Sequence, residues 1–355
     1  MDKKLSLKIS IISFFLLLHV VVGHSVNVVY DAAGDNTVWF IENFISSRLV
    51  KIIIPIFFFI SSYLFFLNFK VNEKLNLKIF KDKIVKRLST LGIPYLFWCT
   101  FWFVFMCFLQ VIPQLSSFFP TLLFDLSPWK QFWNLYLEPI NYPFWFIREL
   151  LLYVIITPIL YLMVKYLKLY ILLLFFLISI FKMSLFTVFE IDIYRYHMLV
   201  YYMLGIYCAI NKVNLTINLK LPLLIFLLFL GFSLCALLIY FDLNYQINLW
   251  YVNLISNITT IVGVISFWSL YDHLDNRFHF KNHEIFSYGF IIYATHGIPI
   301  LLLKQAIISF LNPTKWQLLF YYILTFIIII LSCLFFGIIM KKFMPKLYSF
   351  TTGNR

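Results

Sequence analysis

Apolar stretches of about 18 residues or more recur along the whole chain, and most of its charges are held between them. That recurrence is the feature that most constrains the fold. A bilayer core offers no water to backbone N–H and C=O groups, so a spanning segment must satisfy them internally, as a helix. The chain is 63% hydrophobic and 12% charged, about half the charge share of an ordinary soluble domain. A soluble core has no use for this much Phe, Leu and Ile. The expected fold is therefore all-α and polytopic, with about ten transmembrane helices at 9–29, 48–68, 90–112, 144–164, 169–187, 196–212, 221–240, 248–270, 286–304 and 317–340. The first of these reads as a retained helix, because its apolar run is longer than a signal peptide's and further spans follow. Residues 1–343 read as one membrane domain and 344–355 as a short basic tail.

Where the cations fall sets the expected orientation. With the N-terminus in the cytoplasm, the inner segments collect Lys3, Lys4, Lys8, Lys70, Lys74, Lys78, Lys81, Lys83, Lys86 and Arg87. They also collect Lys165, Lys168, Lys212, Lys220, Arg277, Lys281, Lys341, Lys342, Lys346 and Arg355, which makes twenty of the 28 basic residues. Positive-inside bias then puts both termini in the cytoplasm. The net charge of +13 is thus a topological signal; no groove-like stripe or finger motif points to nucleic acid. The five cysteines (Cys99, Cys107, Cys208, Cys235, Cys333) lie in apolar runs without metal spacing and read as small buried hydrophobes. His279 and His283 stand i, i+4 in a charged loop; with no third ligand fixed by spacing they read as a solvated connector, and no metal is expected.

The first span, KISIISFFLLLHVVVGHS, carries the chemistry of interest. Eleven residues at 100° each bring Lys8 and His19 to nearly one helix face, about 16 Å apart along the axis. Lys8 reads either as a snorkelling anchor or as a cation at the cytoplasmic mouth. His19 reads either as an interhelical hydrogen-bonding group or as a general base matched to neutral pH. His24 is rotated about 140° from His19 on an ideal helix. Further on, Lys83, Lys86 and Arg87 share a face at i, i+3 and i, i+4 and offer cations to phosphate. His296 sits at a depth similar to that of His19. Arg148 and Glu149, beside Trp145, read as interfacial anchors or as groups that position a polar acceptor; Arg48 is similar.

These residues carry a resemblance. Lys8 and His19 are separated by ten residues; PIFFFISSYLFF runs from Pro55 through Ser61 and Tyr63; KIVKRLSTLGIPYLFW holds Lys83, Lys86, Arg87 and Pro94; YPFWFIREL opens the fourth span; and IIYATHGIPI contains His296. In this order they resemble the motifs of the acyltransferase 3 family of bacterial integral-membrane acyltransferases. Lys8 stands where the family has Arg, and Ser62 where it has Gly. The resemblance implies transfer of an acyl group, commonly acetyl, from acyl-CoA as co-substrate to a hydroxyl of a cell-surface or lipid-linked glycan. It implies a bacterial plasma membrane, with membrane lipids and the glycan acceptor as partners. His19 would be the catalytic base and Lys8, Lys83, Lys86 and Arg87 would hold the donor's phosphates. His296, Arg148, Glu149, Trp145 and Ser61 would line the substrate path. The rival is a transporter or flippase for a glycan intermediate, in which His19 and His296 line a path without covalent chemistry.

The charge distribution generates a topological prediction. A cysteine placed at Lys74 should resist a membrane-impermeant thiol reagent in intact cells and react after lysis. Labelling before lysis would invert the orientation.

Overall fold

The computed structural model describes residues 3–27, 35–67, 69, 77–116, 119, 122–181, 187–188, 191–192, 196–243 and 249–354. The chain runs through α1 (Lys3–His24), α2 (Thr37–Asn43) and a wide π-type turn, Phe44–Arg48, into α3 (Leu49–Phe66). Next come α4 (Leu77–Arg87), a second wide turn at Leu88–Gly92, α5 (Ile93–Val111) and two short helices, α6 (Pro113–Ser116) and α7 (Pro128–Phe132). Then follow α8 (Trp145–Leu167), α9 (Leu169–Phe181), a two-residue ladder of β1 (Thr187–Val188) with β2 (Ile191–Asp192), α10 (Tyr196–Ile210) and α11 (Leu221–Leu243). The rest is α12 (Trp250–Phe278), α13 (Gly289–Thr295), α14 (Gly297–Leu311), α15 (Lys315–Phe343) and α16 (Pro345–Thr352).

Among the described residues, seven helices are long and apolar enough to cross a membrane, or eight if a bent pair counts as one span. This corrects the expected ten. Within the segments marked 169–187 and 196–212 the described helical residues are Leu169–Phe181 and Tyr196–Ile210, 13 and 15 residues, about 20 Å and 22 Å at 1.5 Å per residue against a hydrocarbon core about 30 Å thick.

The bent pair has a local cause. Glu284–Thr295 and Gly297–Leu311 meet at 61°. Pro299 lacks an N–H and so cannot bond the carbonyl of Thr295 four residues back. A Cβ at Gly297 would overlap Asn141 Oδ1 and press on Pro143, so only glycine admits residues 141–143 to the break. Asn141 Nδ2 donates to Ala294 O at 3.3 Å, and Tyr293 Oη donates to Pro143 O at 2.6 Å.

Side-chain pairs define the two ends of the bundle. At one end Lys4 lies 3.7 Å from Asp275, Lys341 bonds Glu284 at 2.8 Å, and Tyr348 Oη donates to Ser287 O at 3.3 Å. Helix α16 docks there too: Trp98 Nε1 donates to Thr351 O at 3.0 Å, and Gly353, at φ +71, packs on the Thr90 carbonyl. Both described chain ends therefore lie at one end of the bundle. At the other, Arg48 pairs with Asp242, and Ser46 Oγ bonds Tyr322 Oη at 2.9 Å.

Helices α3 and α10 approach most closely at Gly205, where a Cβ would overlap Ser62 Oγ and the Phe59 carbonyl. Without a hydrophobic drive between helices in lipid, small residues at such crossings let dispersion and hydrogen bonds act at short range. Gly205→Leu should destabilise the protein by roughly 1–3 kcal/mol. A thermal melt in detergent unchanged from the parent would show that the crossing relaxes freely.

Candidate active site

A cavity of about 1180 Å³ runs between α1, α3, α8, α12 and α13. Helix α1 lines it from Ser10 through Ser13 and Leu17 to His24, a run of about 21 Å at 1.5 Å per residue. Helix α3, running the opposite way, lines it from Arg48 to Leu64. Arg87, Leu91 and Ser287 stand at one end, the end that also holds the chain termini. His24, Arg48, Asp242 and Tyr142 stand at the other. The walls between are apolar, with Phe14, Phe57, Phe146 and Phe290. Helix α12 turns a polar stripe inward: Asn253, Ser256, Asn257 and Thr260, at i, i+3, i+4 and i+7.

The two histidines of α1 are sorted by helical phase. Ser10, Ser13, Leu17 and His24 fall on one face; Lys8 and His19 share the opposite one. His19 thus does not line the cavity. Its Nε2 bonds Ile45 O at 2.9 Å, in the wide turn before α3. That turn leaves carbonyls without regular α-helical partners, and His19 fills one of them. His19, expected as the catalytic base, meets this carbonyl, and His24 is the α1 histidine that lines the cavity. His24 is half-buried, 5.9 Å from the Tyr142 ring and 5.4 Å from the His296 ring, centroid to centroid. The interval that selected His19 counts eleven residues from a cation; eleven before His24 stands Ser13, so counting passes it over.

The cations divide in the same way. Lys8 is 4% exposed; its Nζ lies 2.5 Å from Asp272 Oδ2, donates to Leu215 O at 3.1 Å and sits 4.4 Å from the centre of the Trp268 ring. This ammonium, expected at a donor phosphate, is enclosed by Asp272, the Leu215 carbonyl and the Trp268 ring. Lys83 Nζ donates to Phe65 O at 2.5 Å, in the last turn of α3. There it complements the negative end of that helix. Lys86 is exposed, and Arg87 reaches the cavity. Lys78 and Lys81 are exposed on α4, while Lys70 and Lys74 lie outside the described residues.

Of the other expected path residues, Ser61 and Trp145 line the cavity. Arg148 and Glu149 are not among its lining residues: Arg148 donates to the Leu137 carbonyl and lies 3.8 Å from the buried Glu149 carboxylate. His296 is fully buried at the break between α13 and α14, behind His24. All five cysteines are free thiols, and among the described residues no three His, Cys, Asp or Glu side chains cluster as a metal site would need.

The arrangement offers a long slot with Arg87 at one end and, at the other, an imidazole beside an Arg–Asp pair and Lys51. Arg48 also donates to Leu238 O at 3.1 Å, so this guanidinium is a fixed part of the wall. The stripe on α12 and the phase of His24 were both readable as helical periodicity. Arg48 reads from sequence as an anchor or an acceptor-positioning group, but its partner Asp242 is not legible there, standing 194 positions away.

The Lys8–Asp272 pair is buried on both sides, at 5% and 4% side-chain exposure. Asp272→Ala should cost about 3–5 kcal/mol by stranding a buried charge. Lys8→Met combined with Asp272→Leu should recover most of that loss in thermal melts. Equal losses in the single and double variants would deny the pairing its role.

No curated protein and no solved structure matches the chain. A family model described as an acyltransferase domain, that of the acyltransferase 3 family, matches residues 9–338, nearly the full length of the bundle and every element that lines the cavity. The chain belongs to that family of integral-membrane acyltransferases.

Proposed function

We propose that this protein transfers an acetyl group from acetyl-CoA to a hydroxyl of a cell-surface or lipid-linked glycan, in the plasma membrane of a bacterium. The observation that carries the reading is the slot along α1, with Arg87 at one end and His24 at the other. Positive-inside bias assigns the Arg87 end, and with it both termini, to the cytoplasm, where acyl-CoA is made. The donor's phosphates meet Arg87 and the exposed Lys86. Its pantetheine arm runs past Phe14, Leu17, Phe57 and Phe146, and its thioester comes up to His24.

A hydroxyl is a poor nucleophile while it keeps its proton. His24 takes that proton as the oxygen attacks the thioester carbonyl, and returns it to the leaving sulfur. The acceptor enters from the opposite end, where Arg48, Asp242, Asn253, Ser256 and Asn257 supply donors and acceptors suited to a sugar's hydroxyls. Export of a glycan intermediate is the rival reading, favoured by the same continuous slot. Release of CoA thiol separates the two, since a flippase consumes no thioester.

With purified protein, His24→Gln should lower thiol release from acetyl-CoA by about 10²- to 10⁴-fold, while His19→Gln should stay near the parent rate. The reverse ranking would return the base to His19. A parent protein that releases no thiol, with or without glycan, would remove the acyltransfer reading.

A further inference from the structure

His296 is bonded on one side only. Its Nδ1 lies 2.8 Å from Tyr293 O and 3.1 Å from Ile292 O. Carbonyl oxygens only accept, so Nδ1 carries the hydrogen and the neutral ring keeps a lone pair on Nε2. That Nε2 is buried and has no hydrogen-bond partner among the described residues, in a side chain that is 0% exposed. An acceptor left unpaired in the interior is costly, and more so inside a bilayer. The neighbouring ring able to donate is that of His24, at 5.4 Å between centroids with the planes tilted by 40°. This separation suits one N–H···N bond once the His24 ring turns edge-on to His296.

The scaffold holds His296 to this task. It stands at the break, where Pro299 and Gly297 interrupt the helix, and its own backbone bonds bridge the two halves: its N–H to Ile292 O at 3.1 Å, and its carbonyl to Ile300 N at 3.0 Å. Residues 141–143 close over Gly297. The ring is fixed by its Nδ1 bonds, and it is absent from the cavity wall that includes His24. It therefore has no route to substrate except through His24.

We propose that His296 is the positioning residue of the acyl-transfer site: its Nε2 accepts the N–H of His24, fixing the tautomer whose other nitrogen presents a lone pair to the cavity. This rests on the reading of His24 as the base. As the attacking O–H gives its proton to that nitrogen, His24 becomes an imidazolium whose second N–H still bonds His296. The new C–O bond forms, the C–S bond breaks, and the CoA sulfur leaves with the proton from His24. His296 stays neutral throughout and exchanges no proton. The role is that of an orienting acceptor, filled here by a neutral ring where a carboxylate would place a full charge inside the membrane.

The test uses the full-length protein in detergent, acetyl-CoA as donor and water as acceptor, read as CoA thiol release beside acetyl-CoA binding by calorimetry. His296→Leu should lower kcat about 10²-fold with KM and the binding constant for acetyl-CoA near the parent's. His296→Gln, whose amide oxygen can take the place of Nε2, should recover much of the lost rate. Parent-like kcat in His296→Leu overturns the proposal. So does a glutamine variant no faster than the leucine variant, or a rate loss accompanied by equal loss of donor binding or of monodisperse protein, because each describes a packing role. Full activity in His24→Gln removes the base reading itself, whereas an inactive His24→Gln beside an active His296→Leu removes only the present proposal.

Discussion

In lipid no polar group can be left for water to satisfy, and this constraint organises the bundle. Each charge that α1, α3 and α12 carry into the interior has met a partner from another helix. Lys8 finds Asp272 across 264 positions of sequence, and Arg48 finds Asp242 across 194. Lys83 finds the last turn of α3, and His19 finds a carbonyl of the wide turn before it. These pairings fix which face of each helix turns inward. Once Lys8 and His19 are committed to one side of α1, Ser10, Ser13, Leu17 and His24 are left to the cavity.

Helix irregularities perform the second part of the construction. The wide turn at Phe44–Arg48 delivers Ile45 O to His19 and aims Arg48 at Asp242. The one at Leu88–Gly92 follows Arg87 and carries Leu91 into the wall. The break at His296 allows the segment leading into α8 to pack against α13 through Asn141 and Pro143. In a helix that must satisfy its own backbone, such departures persist only where neighbours or a cavity take up the freed groups. All three border the same slot.

The slot also separates tasks by its chemistry. Its middle is lined by aromatic rings, among them Phe14, Phe57, Phe146 and Phe290. Its Arg87 end and its hydroxyl- and amide-bearing end lie about 21 Å apart along α1, so two unlike substrates can meet from opposite directions. A continuous passage of this kind explains why transport and transfer look alike in composition.

The apolar runs by themselves determined a polytopic helical membrane protein, because a spanning segment announces itself in composition. The order of Lys8, the Ser61 segment, the Lys83–Arg87 cluster and His296 was enough to indicate the family, which the match over residues 9–338 establishes. The number of full spans was less legible: α9 and α10 are as apolar as their neighbours but shorter. The site was legible in residue types and not in their allocation. One-dimensional spacing gives two candidate histidines on α1 and four candidate cations for phosphate. Which histidine faces substrate, and which cations are already spent on Asp272 or on the end of α3, depends on contacts hundreds of residues apart. Those contacts exist only after the helices pack, since burial of a charge is decided by what surrounds it and not by its place in the chain.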